Sequence, residues 1–139
     1  MLGVAMAVAL AGSIAVGTGT PAAAGVTPQC TIRWNVLPAG ASGGIWMPYA
    51  EAAETTVCFM HRGSYSWGVW ALQKALRVCY NKSIGTDLSF GPQTEQALRE
   101  VQSLIHANPD GGYGPETRGK LKFVSVAYPD DPGACSTVN

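Results

Sequence analysis

Charge is scarce in this chain, and what there is balances: nine Lys and Arg stand against nine Asp and Glu in 139 residues, none of them before Arg33. That balance argues against a nucleic-acid partner, which needs a basic face. It also argues against capture by bulk attraction to anionic polymers. Histidine is scarcer still. His61 and His106 are 45 positions apart, no CxxC pair accompanies them, and neither HExxH nor HxxE occurs. No zinc site and no cofactor are expected. Long apolar runs are confined to residues 1–24, which end in Ala22-Ala23-Ala24 and read as a secretory signal cleaved after Ala24, although the usual basic n-region is missing. An uncleaved anchor is the rival reading, but the stretch from Leu2 to Val16 is shorter than the ~20 residues of a membrane span. No stable membrane association is expected after cleavage.

What the chain does have is one short pattern used twice. Asp87-Leu88-Ser89-Phe90-Gly91-Pro92-Gln93-Thr94 recurs 23 positions later as Asp110-Gly111-Gly112-Tyr113-Gly114-Pro115-Glu116-Thr117, and Leu98 and Leu121 each follow the Thr by four. Gly-Pro here predicts a helix start. Proline suits the first helical position, and glycine is an acceptable N-cap. The Asp four residues earlier sits where a carboxylate accepts bonds from turn amides. Ala97, Leu98, Val101, Leu104 and Ile105 then keep helical spacing, predicting a helix over 93–106. A shorter helix over 116–123 carries Leu121, and Val69, Leu72, Leu76 and Cys79 predict a third over 66–79.

These residues resemble a known family. Gly63-Ser64, Val69, Leu72-Gln73 and Leu76, then the first turn with Ala97 and Val101-Gln102, then the second turn with Leu121, are similar to the three-helix peptidoglycan-binding domain that accompanies many bacterial wall hydrolases. Leu88 departs from the pattern, since the family usually has Gly there. The resemblance implies an all-α fold. The expected organisation is a signal peptide at 1–24, an irregular N-terminal arm at 25–61, the three-helix domain at 62–124 and a C-terminal tail at 125–139. Within the arm, Thr31–Val36 has the composition of a short strand, and the remaining Pro, Gly, Ser and scattered Trp read as irregular chain.

Cys30, Cys58, Cys79 and Cys135 follow an export signal, so two disulfides are expected, with three connectivities open. Chain lengths favour one of them. The extended stretch from Cys58 to Ser64 and the helix over 66–79 each span about 20 Å, so a segment running back along that helix brings Cys58 to Cys79. Cys30 would then pair with Cys135 and tie the tail to the arm.

The expected function is non-catalytic binding of peptidoglycan, through its glycan or its stem peptide, by a protein that is secreted and extracellular or wall-associated. The candidate ligand residues are Asp87, Phe90, Thr94, Asp110, Tyr113, Thr117 and Arg118 around the repeated turns, with Trp70 as an aromatic platform. Each has a plainer reading, as turn organiser or core aromatic. Catalysis is not expected. Cys–His chemistry needs an unpaired cysteine, and Asp87 and Asp110 sit where their turns already use them. A second reading keeps the fold but takes a protein partner: a secreted inhibitor of, or accessory to, a wall hydrolase.

Overall fold

Two of the three helices begin where the repeated turn predicts. The structure, a computed structural model, describes residues 25–139, so the expected signal segment at 1–24 lies outside the described residues. Helix α1 is Trp67–Cys79, α2 is Pro92–Leu104 and α3 is Pro115–Lys120. Gly91 and Gly114 are the N-caps of α2 and α3, both extended, each followed by proline in the first turn. Ser66 caps α1, its Oγ accepting from the Val69 amide at 3.3 Å. At the far end of α2, His106 turns into the left-handed region (φ 56°), and the Ala107 amide reaches back to the Gln102 carbonyl at 2.8 Å. This closes the helix carbonyls in the manner of a Schellman turn.

The expected all-α fold is not what forms. The N-terminal arm carries a two-stranded antiparallel sheet, β1 (Ile32–Val36) against β2 (Ile45–Tyr49), with Ile32 opposite Tyr49 and Val36 opposite Ile45. The physical reason is side-chain placement on a pleated strand. Ile45 and Met47 point one way, into the core, while Trp46 and Tyr49 are half-buried. The Pro, Gly and Ser residues that suggested an irregular arm occupy the connecting loop instead. Gly44 ends that loop, where any Cβ would fall 1.8 Å from the Asn35 Oδ1. The hairpin packs on α1, and residues after α3 line the other edge of β2: the Trp46 amide donates to the Val124 carbonyl (3.1 Å), and Val126 to that of Gly44 (2.8 Å).

The expected disulfide pairing is also corrected. Cys30 is bonded to Cys58, and Cys79 to Cys135. The segment after Cys58 does not run back along α1. It lies beside the start of the arm, with the Cys30 amide donating to the Phe59 carbonyl and the Phe59 amide to that of Pro28, at 3.0 and 2.9 Å. That places the Cys30 and Cys58 Cα atoms 5.2 Å apart. At the other end, Ser136 pairs with Phe123 and carries Cys135 to the C-terminus of α1. Between the two staples lies one apolar core, drawn from Val69, Leu72 and Leu76 of α1, Leu98 and Val101 of α2, Leu121 and Phe123 beyond α3, and Ile45 and Met47 of β2.

Candidate functional site

Each repeated turn is held by a buried glutamine, and the two arrangements match atom for atom. In the first, Gln73 of α1 points its Nε2 at Asp87 Oδ1 (2.8 Å), the Ser89 carbonyl (2.9 Å) and Thr94 Oγ1 (3.1 Å). Its Oε1 accepts from the Leu88 amide at 3.1 Å. In the second, Gln102 of α2 points its Nε2 at Asp110 Oδ1 (3.0 Å), the Gly112 carbonyl (2.8 Å) and Thr117 Oγ1 (3.0 Å), and its Oε1 accepts from the Gly111 amide at 2.8 Å. Each Asp Oδ1 also accepts from the amide two residues on, Ser89 at 3.0 Å and Gly112 at 2.8 Å. One primary amide thus links an incoming helix, a turn and the first residues of the next helix. Buried polar groups need such partners, and here four residue types supply them reciprocally.

A groove opens above the first latch. Gln73, Asp87 and Thr94 line its inner end, a cavity of about 380 Å³ bounded by Ile84, Pro92 and Gln93. The same three boundary residues border a second cavity of about 430 Å³ that continues along α2 past Gln96 to Glu100. At that outer end Lys82 pairs with Glu100 at 2.7 Å, and Gln96 donates to the other carboxylate oxygen at 3.0 Å. The wall facing α2 is the chain from Lys82 to Gly85. Together the two cavities fall in the size range of small-ligand sites. Polar and apolar groups share the groove: Ser89, Gln93, Thr94 and Gln96 stand beside Ile84, Pro92 and Ala97, with carboxylates at Asp87 and Glu100. The hydrogen bond from Gln73, then that from the Ser89 amide, holds the Asp87 carboxyl below its usual range, so it is ionised at neutral pH.

The comparisons with known proteins bear on this region. Residues 68–121 match a family model described as "Putative peptidoglycan binding domain". This stretch is similar to that family. It runs from the first turn of α1 to the end of α3 and contains both glutamine latches, whereas the hairpin lies outside it. No curated protein and no solved structure matches the chain.

Within and around the matched stretch, the predicted ligand residues fall into distinct places. Asp87 and Thr94 line the groove. Phe90 and Tyr113 do not present themselves to a ligand: each is 1% exposed, because the aromatic position of the repeat faces the core under its turn. Tyr113 meets Phe123 edge-on at 6.4 Å between ring centres. Thr117 and Asp110 are engaged in the second latch, and Arg118 donates its Nε to Thr56 Oγ1 at 2.8 Å, fastening α3 to the arm. Trp70 is no platform either. The Arg33 guanidinium of β1 sits over the rings of Trp70, Trp67 and Trp46 at 4.4, 4.6 and 4.8 Å, so the three tryptophans cage one cation and dock the hairpin on α1. Sequence reasoning missed Ile84, Gln93 and Gln96, which carry no motif. The latches left one local signal in the sequence, the equal spacing of Asp and Thr in the two copies.

Gly40-Ala41-Ser42-Gly43-Gly44 has the GxSxG spacing of a hydrolase nucleophile. It lies in the loop between β1 and β2, not on a strand-to-helix elbow. The cavity beside it, about 570 Å³, is lined by no histidine and no carboxylate.

Proposed function

We propose that this protein is an exported, non-catalytic wall-binding module whose groove along α2 takes the stem peptide of peptidoglycan. The family match carries the ligand class; the groove floored by the Gln73 latch carries the site. Its mixed lining suits a peptide, whose carbonyls and N–H groups pair with Gln93, Gln96 and Ser89, while Ile84, Pro92 and Ala97 give a small side chain apolar contact. Two disulfides and a wall-polymer family fit an extracellular or cell-wall location. Export by cleavage after Ala24 supplies the route, and the mass of the mature protein checks it, since the expected first residue is Gly25.

The test is co-sedimentation of the oxidised protein with insoluble peptidoglycan stripped of secondary polymers. The wild type should sediment at moderate salt. A Gln93→Ala, Gln96→Ala double variant, altered only at exposed positions, should lose about five-fold or more in affinity with an unchanged unfolding curve, on the order of one hydrogen bond's worth of binding. Failure of the folded wild type to bind would overturn the reading and turn the search to protein partners.

A further inference from the structure

A second cleft lies outside the matched domain but for one residue. Tyr65 and Trp67, which are 72% and 48% exposed, flank it, with Gln29, Thr31, Ser66 and Leu88 completing a space of about 570 Å³. No charged side chain lines it. The lone contribution of the matched domain is the informative one. Leu88 is held at φ +67°, a left-handed conformation that a leucine adopts only against steric cost. The equivalent residue of the second turn, at φ +78°, is Gly111, for which that conformation is free of strain. The two latches impose the same backbone, so nothing in the turn calls for leucine. Its side chain instead lines the cleft beside Tyr65 and Trp67, and strain retained at a cleft is a mark of a site.

We infer that this cleft binds the glycan, as a neutral saccharide stacked on Tyr65 against Leu88 and beside Trp67, whose ring Arg33 already engages at 4.6 Å, with the Gln29 amide and the Thr31 hydroxyl meeting its hydroxyl and acetamido groups. A sugar ring has an apolar C–H face and a polar edge. The cleft offers the complement of both, and Arg33, stacked on the Trp67 ring, is not among its lining residues. The volume accommodates about two rings. This goes beyond the groove reading: the cleft and the groove share no lining residue, and neither requires the other.

The probe is the tetramer of N-acetylglucosamine, which carries no peptide and therefore does not report on the groove, titrated into the oxidised protein and followed by tryptophan fluorescence and by amide shifts. Saturable binding with shifts at Tyr65, Trp67 and Leu88 is expected. Tyr65→Ala should weaken it about ten-fold, the effect of losing one stacking platform, and Leu88→Gly should weaken it several-fold with little change in unfolding midpoint. The Gln93→Ala, Gln96→Ala variant should bind the tetramer as the wild type does, whatever it does with whole peptidoglycan. No binding by folded wild type at millimolar tetramer, or binding undiminished in Tyr65→Ala, would overturn the inference.

Discussion

Tyr113 carries a hydroxyl that is sealed in the core and has no hydrogen-bond partner among the described residues. Burial pushes its ionisation far above the ordinary phenol range, so it stays neutral, and its desolvation is uncompensated. Tyr113→Phe should therefore raise stability by about 0.5–1.5 kcal/mol in urea unfolding. Tyr113→Ala should lower it by about 3–5 kcal/mol, because a large buried ring is lost. The pair separates a core role from a binding role, since a ligand-contacting hydroxyl would lose affinity on conversion to Phe. The latches make a second residue-scale prediction. Gln102→Leu keeps the volume but strands the Gly111 amide and the Asp110 and Thr117 oxygens, and should cost about 2–4 kcal/mol. Gln73→Leu should cost a similar amount, and a clear inequality between the two would show that the latches are not energetic equivalents.

Among the elements, the hairpin is held by three separate devices: the Arg33 cage, the Cys30–Cys58 bond and the edge pairing of β2 with residues 124–126. The bond closes a loop of 28 residues, for which chain entropy gives about 3.5 kcal/mol. A Cys30→Ser, Cys58→Ser variant should lose about 2–4 kcal/mol in denaturant unfolding yet keep α1 to α3 by circular dichroism. These elements also mark the limit of what the sequence made legible. The helices declared themselves because Gly-Pro starts and a 3.6-residue apolar period are local signals. β1 was half visible in its β-branched residues. β2 was hidden, because Ile45-Trp46-Met47-Pro48-Tyr49 is apolar throughout and contains a proline, so no alternation marks it. The groove was hidden for a different reason: it depends on how the chain between Lys82 and Gly85 lies against α2, a non-local fact. The disulfide pairing failed likewise, since extended length alone does not say which neighbour a segment runs beside.

For the whole molecule, acid should lower stability modestly. Asp87, Glu95, Glu100 and Glu116 all titrate below their ordinary values in the folded state, held there first by Gln73, Arg62, Lys82 and Lys120 respectively. Each group favours folding fully above its unfolded value, 3.8 for Asp and 4.5 for Glu, and loses that contribution as pH falls through the lower folded value. Unfolding midpoints in urea should be level from neutral pH to about 5 and fall below about 4. Added salt should blunt the part due to the exposed Glu pairs. It should spare the part due to Asp87, whose foremost partner is an uncharged amide. A midpoint that rises on acidification would contradict these ion pairs.

The Arg33 cage has a spectroscopic consequence. The chain has four tryptophans; three surround one guanidinium, and the fourth, Trp34, stacks on Tyr49 in the same hairpin at 5.4 Å. The core beneath the latches, built around Phe90, Tyr113 and Phe123, contains none. Indole emission is therefore a gauge of the seam between hairpin and α1, blind to the interior beneath the latches. Should the hairpin lift before the helices melt, emission will shift at lower denaturant than the helical ellipticity. Coincident curves would mean that seam and interior yield as one cooperative unit.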